Sequence, residues 1–73
     1  MSSMRFDVEL TPEPEGGYTV VCPLVKGAVS YGKTVEEALD MIKDAIEGIL
    51  EVRGELEKYA PIEIGEYKVK TTV

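Results

Sequence analysis

Gly32-Lys33-Thr34-Val35-Glu36-Glu37-Ala38-Leu39 carries the strongest local signal in the chain. Thr34 followed three residues later by Glu37 forms a capping box, in which the Thr34 hydroxyl accepts from the third helical amide and Glu37 reaches back to an amide at the helix entrance. A helix therefore begins at Val35. Apolar residues then recur at Val35, Ala38, Leu39, Ile42, Ala45, Ile46, Ile49 and Leu50, the one-sided stripe of an amphipathic helix that lies on a sheet. Gly54 can cap it, but Val52, Leu56 and Tyr59 prolong the stripe, so a helix running on to Lys58 with one tolerated glycine fits equally well. Pro61 ends it in either case.

Upstream of the helix the periodicity is that of strands. Met4, Phe6, Val8 and Leu10 alternate with Arg5, Asp7, Glu9 and Thr11, which describes a strand with one buried face. Pro12-Glu13-Pro14-Glu15-Gly16-Gly17 cannot continue it and supplies the dihedrals of a hairpin connection. Tyr18-Thr19-Val20-Val21-Cys22 is β-branched and aromatic with apolar groups facing both ways, as a central strand requires, and Pro23 ends it. Ala28-Val29-Ser30-Tyr31 is a short third strand suited to a sheet edge.

Downstream, Tyr67, Val69, Thr71 and Val73 alternate with Lys68, Lys70 and Thr72 in a last strand. Ile62 and Ile64 are out of phase with it across Gly65-Glu66, which implies a bulge or turn. The first three strands form an antiparallel meander, so strands one and three run parallel, and the helix returns the chain for a fourth strand parallel to both. A right-handed crossover then sets strand four beside strand one. The expected fold is α+β, βββαβ, a mixed four-stranded sheet of order 3-2-1-4 with one long helix on one face. Arg5, Asp7 and Glu9 would sit on the bare face beside Lys68 and Lys70, and each opposite-charge pair across strands contributes roughly 0.2–1 kcal/mol.

Composition bounds what such a domain can do. The chain has 73 residues, which makes residues 1–73 one domain, and 44% of them are hydrophobic. Folding at this size buries only about 60% of the surface of the unfolded chain, so self-association would supply burial that one copy lacks. A formal charge of −6 and a pI near 4.5 oppose direct nucleic-acid binding, which draws on counterion release by cationic side chains. Cys22 is the one cysteine and histidine is absent, so neither a disulfide framework nor a Cys/His metal set can form, and a reducing cytoplasm fits. No phosphate-cradling or dinucleotide motif surrounds Gly16 and Gly17, and no cofactor is implied. No signal-peptide core precedes Phe6, no run approaches the roughly 20 apolar residues that span a bilayer, and Ser2 and Ser3 read as a frayed leader.

In the order βββαβ, three pieces fall at specific spacing: Glu15-Gly16-Gly17-Tyr18-Thr19-Val20, then Pro23 through Gly27, then Gly32-Lys33-Thr34-Val35-Glu36-Glu37-Ala38-Leu39. Together they resemble the HicB-like antitoxin family over nearly the whole chain. Two departures stand out: Pro23-Leu24-Val25-Lys26-Gly27-Ala28 replaces the family's Pro-Asp-Leu-Pro-Gly-Cys, and Lys33 replaces an aspartate. The resemblance implies a shortened ribonuclease H-like fold and a role, without catalysis, in neutralising a small basic RNA-cleaving toxin of the HicA type by occluding it. Many family members add a DNA-binding segment. With none after Val73, the resemblance implies partner binding without autonomous repression of an operon.

The residues themselves nominate the surfaces. Away from its apolar stripe the helix presents Glu36, Asp40, Asp44, Glu47 and Glu51, relieved mainly by Lys43. Carboxylates four apart on an exposed helix repel by roughly 0.2–0.5 kcal/mol per pair, and a basic partner converts that into attraction. The alternative is an ordinary solvated face. The short third strand leaves backbone groups unpaired, so a second copy or a toxin strand could extend the sheet there, with Tyr31 a candidate contact. Tyr18 and Tyr67 are further candidates for such contacts, and for all three tyrosines the alternative is the margin of the core. Cys22 reads as a small buried apolar residue. Asp7 lies where a ribonuclease H-type enzyme keeps a metal-binding carboxylate, but two-metal chemistry needs several carboxylates to converge. Three readings follow: an antitoxin-like partner-binding protein, a free-standing homo-oligomeric domain with another protein or ligand partner, and a metal-dependent nuclease.

Overall fold

Alternating burial along β1 (Met4–Pro12) sets Phe6, Val8 and Leu10 in the interior, and the rest of the architecture assembles against that row. A computed structural model describes residues 4–70 of the chain. Ser2, Ser3, Thr71, Thr72 and Val73, to which readings were given above, lie outside the described residues. The elements that follow are β2 (Tyr18–Val21), β3 (Val29–Gly32), α1 (Val35–Val52), α2 (Leu56–Tyr59) and β4 (Ile62–Val69). The sheet has four strands in the order β3-β2-β1-β4, with β1 antiparallel to β2, β2 antiparallel to β3, and β1 parallel to β4. Strand four thus lies beside strand one and parallel to it, as a right-handed crossover requires.

The β1–β2 reversal is built as its composition demands. Gly16 and Gly17 take φ of 105° and 80°, in the left-handed region that L side chains avoid. The Glu13 carboxylate accepts from the Thr19 hydroxyl at 2.6 Å, and the Tyr31 hydroxyl donates to the Gly16 carbonyl at 2.9 Å. A side chain at Gly17 would run into the Tyr31 ring, so the hairpin tip and β3 are fastened together.

Thr34 caps α1 with its hydroxyl accepting from Glu37 N–H at 3.0 Å. The return contact differs by one position from the usual box: the Glu37 carboxylate takes the N–H of Lys33, at 2.6 Å. Replacing Thr34 by alanine should cost about 0.5–2 kcal/mol, read as a lower urea midpoint, and Thr34→Ser should recover most of it. The helix lies over the sheet on Ala38, Ile42, Ile46 and Leu50, all buried. Gly32 lets this happen, because a Cβ there would strike the backbone of Glu37 and Ala38.

The end of α1 resolves the open alternative in favour of a stop. Gly54 adopts φ of 72°, its N–H donates to Glu51 O at 3.0 Å, and Glu55 N–H donates to Leu50 O at 2.8 Å, the paired contacts of a Schellman close. Val52, counted above with the apolar stripe, is instead 89% exposed. Leu56 and Tyr59 do reach the core, but from α2, with the Tyr59 ring edge-on to Phe6 at 6.3 Å.

β4 begins earlier than its clean alternation suggests, at Ile62, which is buried. Phe6 pairs with Ile64 and Val8 with Tyr67, so Gly65 and Glu66 together stand opposite Asp7 in a β-bulge. The third strand is also displaced by one residue: it runs Val29–Gly32, and Ala28 precedes it as a buried loop residue.

Candidate functional site

Helical periodicity puts the buried line Ala38, Ile42, Ile46 and Leu50 on one side of α1 and the carboxylates on the other. Glu36, Asp40, Asp44 and Glu51 are exposed, and Glu47 is half-buried. At 1.5 Å per residue the stripe from Glu36 to Glu51 is about 22 Å long. Among the described residues none of the five takes part in an ion pair, since the salt bridges are Arg5–Glu63 and Lys70–Glu9, each at 3.7 Å on the sheet.

Helix electrostatics account for one end of this stripe and not the other. Glu36 and Glu37 in the first turn complement the positive end of the helix dipole. Glu51 stands in the last turn, where a carboxylate is unfavourable, and no basic residue occupies that turn. Arg53, just beyond, spends its guanidinium on the Lys26 carbonyl at 3.3 Å.

Tyr31 does not join the acids. It sits on β3 in register with Thr19, on the face of the sheet away from α1, half-exposed, with its hydroxyl committed to Gly16. The five acids are thus one surface, and Tyr31 belongs to another, at the open edge of β3.

Asp7 has a structural task. Its carboxylate accepts the Glu66 N–H at 2.9 Å and so replaces the ladder hydrogen bond that the bulge interrupts. The shallow depression around it is lined by Asp7, Glu9, Glu66, Lys68 and Pro23, so a lysine shares the space. Among the described residues, no three side chains from His, Cys, Asp and Glu gather as a metal site would require. Cys22 is buried just past β2, and desolvation pushes its thiol above the ordinary 9.0, although backbone hydrogen bonds with Val25 and Leu24 oppose this. A thiol held neutral in this way is a poor nucleophile.

Sequence reasoning missed the exposed apolar groups beside these surfaces. Met41 and Val52 stand out on one flank of α1, where Ala45, Gly48 and Ile49 lie between them, and Leu24 protrudes from the loop after β2. Tyr67 and Val69 share the helix-side face of β4 but lie beyond the reach of α1, and they too are exposed. Their alternation was visible; that no helix covers them depends on the width of the sheet.

The family described as the HicB-like antitoxin of bacterial toxin-antitoxin systems matches residues 6–71. Antitoxin HicB of Escherichia coli (strain K12) is 49% identical over 43 residues, which are 59% of this chain and 31% of that protein. A UPF0150 protein of Synechocystis, ssr1765, is 45% identical over 47 residues, covering 64% of this chain and 60% of its own. A UPF0150 protein of Archaeoglobus fulgidus is 31% identical over 68 residues, 93% of this chain and 99% of its own. The chain thus spans about a third of the antitoxin HicB it matches. No helix is long and apolar enough to cross a membrane among the described residues. With the family match running through every strand and α1, the chain belongs to the HicB-like antitoxin family of bacterial toxin–antitoxin systems.

Proposed function

We propose that this chain is a single, cytoplasmic, non-catalytic binding domain that neutralises a small basic RNA-cleaving toxin of the HicA type by covering it. The observation that carries the reading is the unpaired acidic stripe on α1, Glu36, Asp40, Asp44, Glu47 and Glu51. A stripe about 22 Å long suits a small basic partner, and charges of one sign speed encounter as well as hold it. The open edge of β3, with Tyr31, offers a second contact by strand addition.

The test is a charge reversal. Asp40→Lys, Asp44→Lys and Glu47→Lys together should abolish complex formation with the basic protein that co-purifies from the native source, and should remove the salt dependence of its association. Unchanged affinity would take the helix face out of the reading. None of the three is in the core, so the fold should persist.

A second reading is a free-standing homo-oligomeric domain with a different protein or ligand partner. The Archaeoglobus fulgidus relative, matched over 99% of its own length, favours it. An adjacent gene for a small basic protein supports the first reading; purification of the chain with itself alone supports the second.

A further inference from the structure

The open side of β4 is eight residues long, against four for β3, and it carries a pattern that matches itself. Ile62 and Ile64 face α1, as do Tyr67 and Val69, and the phase between the two halves is kept only because Gly65 and Glu66 together occupy one position opposite Asp7. The Lys70 N–H donates to the Leu10 carbonyl at 2.8 Å, so Lys68 and Lys70 direct their backbone groups toward β1. By alternation, Tyr67 and Val69 direct theirs into the open, and so do Ile62 and Ile64, which lie on the same face of the same strand direction.

We propose that the β4 edge is a self-association site, at which a second copy of this chain adds its own β4 antiparallel and continues the sheet. An added strand must carry an extra residue at the same level as the bulge, or one half of the ladder turns its apolar side chains outward. The β4 of another copy meets this condition when the two-fold axis passes between Gly65 and Glu66. Ile64 then faces Tyr67 of the second copy, Ile62 faces Val69, and Glu63 faces Lys68, each pair occurring twice.

Charge singles out the same register. Within one copy Arg5 is paired with Glu63 and Glu9 with Lys68 on the bare face of the sheet. Joined about this axis, the four strands read Glu9, Lys68, then Glu63 and Arg5 of the second copy, alternating in sign throughout, and the row repeats in reverse. Tyr67, 48% exposed, and Val69, 41% exposed, gain apolar neighbours on the helix side. Lysines and a bulge ordinarily protect an edge strand, but here both reject other registers and leave this one open. The like-charge contact is Glu66 with its own copy near the axis, where both are exposed to water. The surface is separate from the acidic stripe and does not depend on a toxin.

The test uses the full chain and sedimentation equilibrium. Glu63→Lys and Lys68→Glu each place like charges opposite one another twice, and each alone should weaken the dimer at least about tenfold. Mixed in equal amounts they should form a heterodimer, because both charge pairs across the two-fold axis are again of opposite sign. In the unaltered chain, amide exchange at Ile64, Tyr67 and Val69 should slow as concentration rises, which reads the site even if a variant folds poorly. A chain that stays monomeric at millimolar concentration would overturn the proposal. So would a dimer indifferent to both reversals, or concentration-dependent protection confined to Val29 and Tyr31 of β3.

Discussion

Replacing Ile42 by alanine should bring the chain close to unfolding at physiological temperature. Ile42 has no exposed surface, sits mid-helix between Ala38 and Ile46, and belongs to the same buried cluster as Phe6, Val8 and Leu10. Truncating a fully buried isoleucine costs about 2–5 kcal/mol, because the surrounding core closes only in part around the space left. A domain of this length holds about 4–11 kcal/mol in total, at the usual yield per residue. The loss is therefore a large fraction of the whole, and the urea midpoint should fall by about a fifth or more. Ile42→Val should lose only about 0.5–1.5 kcal/mol. Equal, small losses for the two variants would mean that α1 is not seated on the sheet at this point.

Gly32→Ala should be nearly as damaging, for the opposite reason. The added methyl would overlap backbone atoms of Glu37 and Ala38, and backbone cannot swing aside as a long side chain can. Overpacking typically costs about 1–3 kcal/mol, and here relief requires the first turn of α1 to lift from β3, exposing Ala38. Gly48 provides the control. It lies in the same helix with open space around its Cα, so Gly48→Ala should stabilise by up to about 1 kcal/mol through helix propensity. Denaturant midpoints that move in the same direction for the two glycines would refute the packing at Gly32.

Much of the fold was legible because local chemistry and topology agree. Thr34 and Glu37 announce the helix start, the alternation from Met4 to Leu10 announces a half-buried strand, and the direction of the crossover leaves one place for the last strand. The limits of elements were less legible. Val52 is apolar and in phase with the stripe, yet the helix stops there because Gly54 and Glu55 close it with contacts to Glu51 and Leu50 that no periodicity reveals. The early part of β4 was hidden by its bulge, since the residue that satisfies Glu66 is Asp7, far away in sequence.

The candidate surface divides in the same way. The acids of α1 gather into one stripe because helical geometry alone dictates that Glu36, Asp40, Asp44, Glu47 and Glu51 oppose the buried line. Tyr31 could not be assigned in this manner. Its hydroxyl is drawn to Gly16 by the hairpin, a contact between distant segments, and this leaves the ring less free for a partner than an exposed edge tyrosine suggests.

The pairing of Met4 with Ile62 joins the two segments of the chain that leave the ribosome first and last among those described. The meander and α1 can gather as they emerge, but Phe6, Val8 and Leu10 lack their flanking neighbour until β4 is synthesised. Contacts so distant along the chain slow folding, because a long loop must close before they form. Until β4 joins, the chain carries an unfinished hydrophobic flank, the kind of transiently exposed surface that chaperones engage.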